Sequence, residues 1–305
     1  MATAFRVVRI LPVETRATGS EGCVVLSQIN YGDAPVYCAT PSIKYVLDGE
    51  ERYEVDGRVH VVRAGEFLVV EAGTALRAIL PQRSVTTGLC IYLPSRGDIP
   101  YLPDLSAAKS KSEHEVGARA IVQSASTTKL GKILRSTALD LARHEQLSDA
   151  AVSGVAMAAA DEFIGVRQQI NERLALINSV KGSTKADLLG RLERARGYLH
   201  DNCHRIVPLD ELAVSAGMSQ FHLARTFNAV FGAPPGTYHR SLRLRTAAAH
   251  LTGGHRSVTE AAEHFGFSDS AAFSRAFKRE IGVTPARYAV SRRSSTYPQA
   301  RQFTF

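Results

Sequence analysis

A spaced pattern occurs twice in the last third of the chain. Leu223-x-Arg225-x-Phe227, followed by Gly232, Pro235 and Tyr238, recurs as Phe273-x-Arg275-x-Phe277, followed by Gly282, Pro285 and Tyr288, with every matched pair 50 residues apart. Upstream of each copy stands a second matched pair, Ala213 with Gly217 and Ala262 with Gly266, at an offset of 49. One residue has therefore been gained in the turn. Each copy predicts a helix, a short glycine turn and a second helix, the shape that places a helix in a DNA major groove.

The local chemistry of the two copies agrees. In the first, Pro208-Leu209-Asp210-Glu211 opens a helix, and the two carboxylates suit its positive end. Ala213 must be small where two helices cross, Gly217 supplies a left-handed turn, and Ser219 caps the next helix. Leu223, Phe227 and Val230 are predicted to face inward, leaving Gln220, Phe221, Ala224 and Arg225 outside. In the second copy Ala262 is the crossing residue, Gly266 the turn, and Ser268 or Asp269 the cap. Phe273 and Phe277 are the predicted core, with Ser270, Ala271, Ser274 and Arg275 outside. Arg can pair with guanine, Gln with adenine, and Ala or Phe can touch a thymine methyl. Arg240, Arg243, Arg245, Lys278 and Arg279 are expected on the phosphate backbone, where contacts set register. For a single Arg, an internal salt bridge is an equal alternative. Residues Tyr238 to Leu251 are predicted to form the helix that joins the two copies.

Charge follows the repeat. Residues 1–180 hold 19 Lys/Arg against 20 Asp/Glu, whereas residues 181–305 hold 18 against 9. The chain's net +8 therefore lies wholly in the segment with the repeat. Basic residues gain by displacing counterions from phosphates, so the asymmetry points to nucleic acid. A solvated basic surface is the plainer alternative. There is no run of 18 apolar residues, so no membrane span is expected. The N-terminus lacks the apolar core of a signal peptide. Cys23, Cys38, Cys90 and Cys203 show no C-x-x-C spacing, so neither a zinc knuckle nor a disulfide framework is indicated. Together these predict a cytoplasmic, nucleoid-associated protein.

The rest of the chain predicts a different class of structure. Residues 1–105 hold short β-branched runs such as Val59-His60-Val61-Val62 and Phe67-Leu68-Val69-Val70, broken by Gly, Pro and Asp. Asp56-Gly57 reads as a hairpin turn. Residues 106–180 begin with a small polar stretch and then turn helical. Leu130, Ile133, Leu134, Thr137 and Leu141 share one face, as do Phe163, Val166, Ile170, Leu174 and Ile177. These helices either pack on the β domain or pair with a second copy of the chain. Residues 181–189 read as a linker, 190–290 as the double helix-turn-helix domain, and 291–305 as an unstructured tail. The predicted fold is thus α+β with two domains, an N-terminal β-barrel or sandwich with flanking helices and an all-α C-terminal domain.

The second copy, Ala261-Ala262-x-x-x-Gly266-Phe267-Ser268-Asp269-x-x-x-Phe273-Ser274-Arg275-x-Phe277-Lys278-x-x-x-Gly282-x-x-Pro285-x-x-Tyr288, resembles the DNA-binding domain of the AraC/XylS family of bacterial transcription regulators. The resemblance covers about residues 190 to 290. It implies that the outward residues of both second helices enter the major groove: Gln220, Phe221, Ala224 and Arg225, then Ser270, Ala271, Ser274 and Arg275. It also implies promoter DNA and RNA polymerase as partners, a homodimer, and activation as the sign of control. Ala289 stands where the family often has a basic residue. Ala224, Ala271 and Ala272 leave few donors on the reading faces, which moves part of the expected specificity onto DNA shape. Residues 44–70 look like the cupin-type sensor domain that many such regulators carry, which implies a small-molecule or protein effector. Metal cupins carry a His-x-His pair, whereas here His60 stands alone and reads as a strand residue. No metal or cofactor is expected, and the interior is expected to be apolar.

An enzyme is the main competitor. A cupin oxygenase or isomerase needs the missing histidines, and a repair-type alkyl acceptor needs a reactive cysteine. Cys203, beside His204 and Arg205, lies within the opening of the helical domain and reads as structural. The chain is therefore expected not to be an enzyme.

Overall fold

The computed structural model describes residues 5–12, 23–29, 32–80, 85–93, 119–143, 148–178, 182–252 and 257–293. The polar stretch at 106–118 and the residues after 293 lie outside these. The chain divides into two compact units, Met1–Glu193 and Arg194–Phe305.

The first unit is built on ten strands: β1 (Phe5–Pro12), β2 (Cys23–Ile29), β3 (Gly32–Cys38), β4 (Ser42–Asp48), β5 (Glu50–Val55), β6 (Arg58–Arg63), β7 (Glu66–Val70), β8 (Thr74–Leu80), β9 (Thr86–Tyr92) and β10 (Ala120–Ser124). They form two antiparallel sheets, ordered β1-β2-β9-β4-β7-β10 and β3-β8-β5-β6. Of the barrel and sandwich expected from the sequence, the sandwich is what forms. The β5–β6 hairpin pairs Val55 with Arg58, so its loop is Asp56-Gly57. Both loop residues have positive φ (50° and 73°), as a two-residue turn matched to the strand twist requires.

Three layers explain the burial pattern. Val46, Leu68 and Val70 of the larger sheet meet Val55, Val62 and Leu76 of the smaller one in a common core. Ile43, Tyr45, Leu89 and Ile91 are equally buried but belong to the opposite pleat. That side is covered by α1 (Lys129–Ala142) and α2 (Asp149–Leu176), which pack on β1, β2, β4 and β9. The expected apolar faces of both helices are the ones used. Leu130, Leu134, Leu141, Phe163, Val166 and Ile170 are all buried. Thr128 and Ser148 cap the two N-termini through their hydroxyls.

The expected linker is a point of difference. Helix α3 (Gly182–Asp201) takes in residues 182–189. Ala186, Leu189, Leu192, Ala195 and Leu199 form one buried stripe along it. The polar Gly182-Ser183-Thr184-Lys185 opening reads like a linker, but it is a first helical turn. Glu193, at its middle, is buried and paired with Arg173 of α2 at 2.7 Å. At the far end of the chain, helix α9 (Pro285–Arg293) takes in Ser291 to Arg293, the start of the expected tail.

Two kinds of helical glycine test this packing. A Cβ at Gly131 would run into the Ala125 carbonyl oxygen and Cα, well inside contact distance of fixed backbone. At Gly154 and Gly165 of α2 it would meet nothing. Alanine is worth about 1 kcal/mol over glycine in a helix, whereas overpacking costs about 1–3 kcal/mol or more. Gly131→Ala should therefore lower the thermal midpoint of the first unit, and Gly154→Ala or Gly165→Ala should raise it, as followed by circular dichroism.

Candidate nucleic-acid interface

The second unit carries both copies of the repeat. Helices α4 (Leu209–Ala216) and α5 (Gln220–Phe231) form the first, and α7 (Val258–His264) and α8 (Ser270–Ile281) the second. The long α6 (Pro235–Thr252) joins them. At both turns a glycine takes the left-handed conformation, Gly217 at φ 63° and Gly266 at φ 68°. The residue after it returns a hydrogen bond to the crossing alanine: Met218 to Ala213 at 3.0 Å, and Phe267 to Ala262 at 2.9 Å. Both alanines are buried.

The reading helices are built alike. Each has twelve residues and ends in a left-handed glycine, Gly232 or Gly282, and the next helix opens on Pro235 or Pro285. Ser219 caps α5, accepting from the His222 amide. Of the two caps expected for α8, Asp269 is the one used, accepting from the Ala272 amide at 2.6 Å. The matched Phe and Tyr form the same pair twice. Phe227 and Tyr238 meet edge to face at 5.4 Å, and Phe277 and Tyr288 at 5.6 Å. Such a pair adds about 0.5–1.5 kcal/mol beyond burial and seats the back of each reading helix on the helix that follows.

The outward faces are those expected. Gln220, Phe221, Arg225, Ala271 and Arg275 are exposed, and Ala224, Ser270 and Ser274 are half-buried. Phe221 is 78% exposed, an unusual state for an aromatic ring. Among the described residues neither Arg225 nor Arg275 forms an ion pair or hydrogen bond. Arg240, Lys278 and Arg279 are exposed as well, as phosphate contacts require.

Arg243 and Arg245 differ from expectation. Arg243 is only 7% exposed, and its Nη1 donates to the carbonyls of Phe265 at 2.9 Å and Gly266 at 3.2 Å. Its guanidinium is engaged inside the fold and not presented on the surface as a phosphate contact would need. Arg245 is tied to Glu280 of α8 at 3.1 Å, and Ser241 donates to the same carboxylate at 3.0 Å. Positive charge alone did not separate these side chains from Arg240. For Arg243 the helical phase does, since His239, Arg243, Ala247 and Leu251 stand four apart and are all buried, whereas Arg245 is half-buried and only the fold brings Glu280 to it.

Two further groups were not anticipated. Glu211 opens α4, and besides meeting the helix dipole it pairs with Arg205 and accepts from Tyr198. Arg205 and then Tyr198 hold its carboxyl down to about 2. In the first unit the interior is not wholly apolar. Lys44 is buried, and its Nζ donates to the Tyr92 hydroxyl at 3.3 Å and lies 4.0 Å from the Cys90 sulfur. It also sits over the Tyr92 ring at 4.7 Å. Nearby, the buried Tyr53 hydroxyl donates to Glu51, and burial raises that carboxyl. Burial also pushes the Cys90 thiol up to about 11. Because β4 is buried on both faces from Ser42 to Leu47's neighbour Val46, strand alternation could not assign Lys44 a side. His60 is half-buried on β6, and no group of three or more His, Cys, Asp or Glu among the described residues is placed to hold a metal ion. None of the described helices is long and apolar enough to cross a membrane.

His239 gives the second unit a pH dependence. It is buried, donates from Nε2 to the Asn202 carbonyl at 3.3 Å, and is pulled down to about 4 by burial and then by Arg243. The unfolded chain takes up this proton near pH 6.5, but the folded one only near 4. Stability is therefore full above 6.5 and falls as pH drops between those values, by about 3 kcal/mol from this residue. Titration of the His239 ring by NMR should give a midpoint near 4; a midpoint near 6.5 would contradict the buried, neutral assignment.

Comparison with known proteins bears on the same segment. A family model described as a helix-turn-helix domain matches residues 212–291. The probable transcription factor PqrA of Proteus vulgaris is 35% identical over 97 residues, covering 32% of this chain and 77% of that protein. The HTH-type transcriptional activator AarP of Providencia stuartii is 30% identical over 94 residues, covering 31% and 70%. The right origin-binding protein of Escherichia coli K12 is 35% identical over 91 residues, but the chain spans only 32% of its length. Among solved structures, a transcriptional regulator with an AraC-type DNA-binding domain from Chromobacterium violaceum aligns at 25% identity, covering 35% of this chain and 96% of that one, with a TM-score of 0.34.

Proposed function

The chain belongs to the AraC/XylS family of bacterial transcription regulators, and from that premise we propose that it activates promoters by laying α5 and α8 in successive major grooves. Those grooves are about 34 Å apart on one face of the duplex. Gln220, Phe221, Ala224 and Arg225 read the first, and Ser270, Ala271, Ser274 and Arg275 the second. Arg240, Lys278 and Arg279 hold the phosphates.

The observation that carries this reading is the matched pair Arg225 and Arg275. Each stands exposed at the same place on one of two equivalent helices, and neither is held in an ion pair or hydrogen bond among the described residues, although Arg275 lies near enough to the Asp269 cap to lower its carboxyl. A guanidinium in that position matches the paired acceptors of guanine and contributes about 1–3 kcal/mol of discrimination. Phe221 adds an apolar surface for a thymine methyl. The few donors on α8 leave room for a contribution from DNA shape.

The regulator works in the cytoplasm as a homodimer and recruits RNA polymerase, with an effector acting on the N-terminal unit. The mechanism is linkage: an effector that favours one arrangement of the chain shifts the population competent for DNA. What supports an interior site for it is Lys44. It hydrogen-bonds a phenol and a thiol, and with the buried Glu51–Tyr53 pair beside it makes a polar group inside a largely apolar interior.

Genome-wide binding by the tagged chain tests the DNA half of the proposal. Discrete promoter peaks should appear for the wild type and vanish for the Arg225→Ala/Arg275→Ala double variant. Loss of both contacts should weaken a purified operator by roughly 30-fold or more at fixed salt. Peaks that survive the double substitution would sink the assignment of the reading helices.

A further inference from the structure

One buried row on α6 touches the approach to the first helix-turn-helix copy and the turn inside the second. His239 donates to the carbonyl of Asn202, in the segment that leads into α4. One turn on, Arg243 donates to the carbonyls of Phe265 and Gly266, where α7 ends and the turn into α8 begins. The Arg243 guanidinium also lies 4.8 Å from the centre of the Phe267 ring. The turn is closed from two sides, for a Cβ at Gly266 would stand 3.3 Å from Arg243 Nη1 and 3.4 Å from the Cα of Arg205. All three acceptors are main-chain oxygens. These bonds therefore grip the path of the backbone itself.

An arginine suits this place. Carbonyls at a helix C-terminus carry the negative end of its dipole, and a cation completes them. Nη1 donates to both oxygens while the guanidinium lies over a ring, and a lysine, which can donate to the oxygens, has no planar group to stack. A buried cation is nonetheless a poor choice for stability alone, since an apolar side chain avoids its desolvation.

We propose that Arg243 is a positioning residue, which fixes the offset of α8 from α5 and so the spacing between the two half-sites that the chain accepts. This rests on the two-helix reading above. One inserted base pair moves the second half-site by about 3.4 Å and turns it by about 34° around the duplex. A rigid pair of reading helices cannot follow both changes. A pair loosened at the α7–α8 turn, with α8 still seated on α6 through Glu280, follows them more closely.

The probe is the best duplex that the full-length chain selects from a randomised library of about 40 base pairs. Footprints of Arg225→Ala and Arg275→Ala assign its two halves. One base pair is then added or removed between them, and affinities are measured at fixed salt. The wild type should lose roughly 100-fold on either change. Arg243→Met should bind the selected duplex within about tenfold of wild type, yet lose less than about fivefold on either change, and Arg243→Lys should fall between. Equal weakening by Arg243→Met at every spacing would make the residue merely structural and overturn the proposal. Should Arg243→Met not fold, as judged by thermal melting, the same comparison on Arg243→Lys decides. If the selected duplex does not depend on Arg225 and Arg275, the two-helix reading fails and this inference with it. If it does depend on them but the spacing penalty is the same in wild type and variant, this inference alone fails.

Discussion

Everything in the DNA-binding unit follows from how closely two helices can cross. Ala213 and Ala262 are buried where the two helices of each copy cross, and four residues later the chain turns left-handed to bring the second helix back. Gly217 and Gly266 meet that demand without strain. Once the turn is made, the second helix has one side committed to the core and one side free. Phe227 and Phe277 are fully buried on the committed side, each contributing about 1.5–3 kcal/mol. The free side is thereby aimed outward before any ligand arrives.

This logic was legible in the sequence because it is periodic and local. The crossing alanine, the turn glycine, the cap and the inward aromatics each leave a mark at a defined spacing. Repetition after fifty residues turned those marks into one argument. The Asp56-Gly57 hairpin was legible for the same reason, since a two-residue turn tolerates few sequences. Exposed reading residues followed as the complement of the core.

What stayed hidden depends on partners far away in the chain. Arg243 looks like its neighbour Arg240, and only the fold brings the Phe265 and Gly266 carbonyls, more than twenty residues on, to meet it. Lys44 is similar, since three layers bury both faces of β4 and erase the alternation that marks a half-exposed strand. The opening of α3 misled in the opposite direction. Its small polar residues resemble a linker, while the stripe from Ala186 to Leu199 that makes it a helix begins only afterwards. In each case local composition was right about chemistry and silent about placement.

The twin Phe–Tyr pairs have a consequence for how such a protein changes over generations. Each reading helix is held from behind by an aromatic pair and at both ends by a cap and a glycine. The exposed outward residues, Gln220, Phe221 and Arg225 on one helix and Ala271 and Arg275 on the other, therefore carry little of the cost of folding. Under the DNA-reading proposed for these faces, mutations there accumulate without loss of the scaffold, and the set of genes under control drifts while the architecture stays the same. A lineage could rewire its regulatory circuits one surface residue at a time.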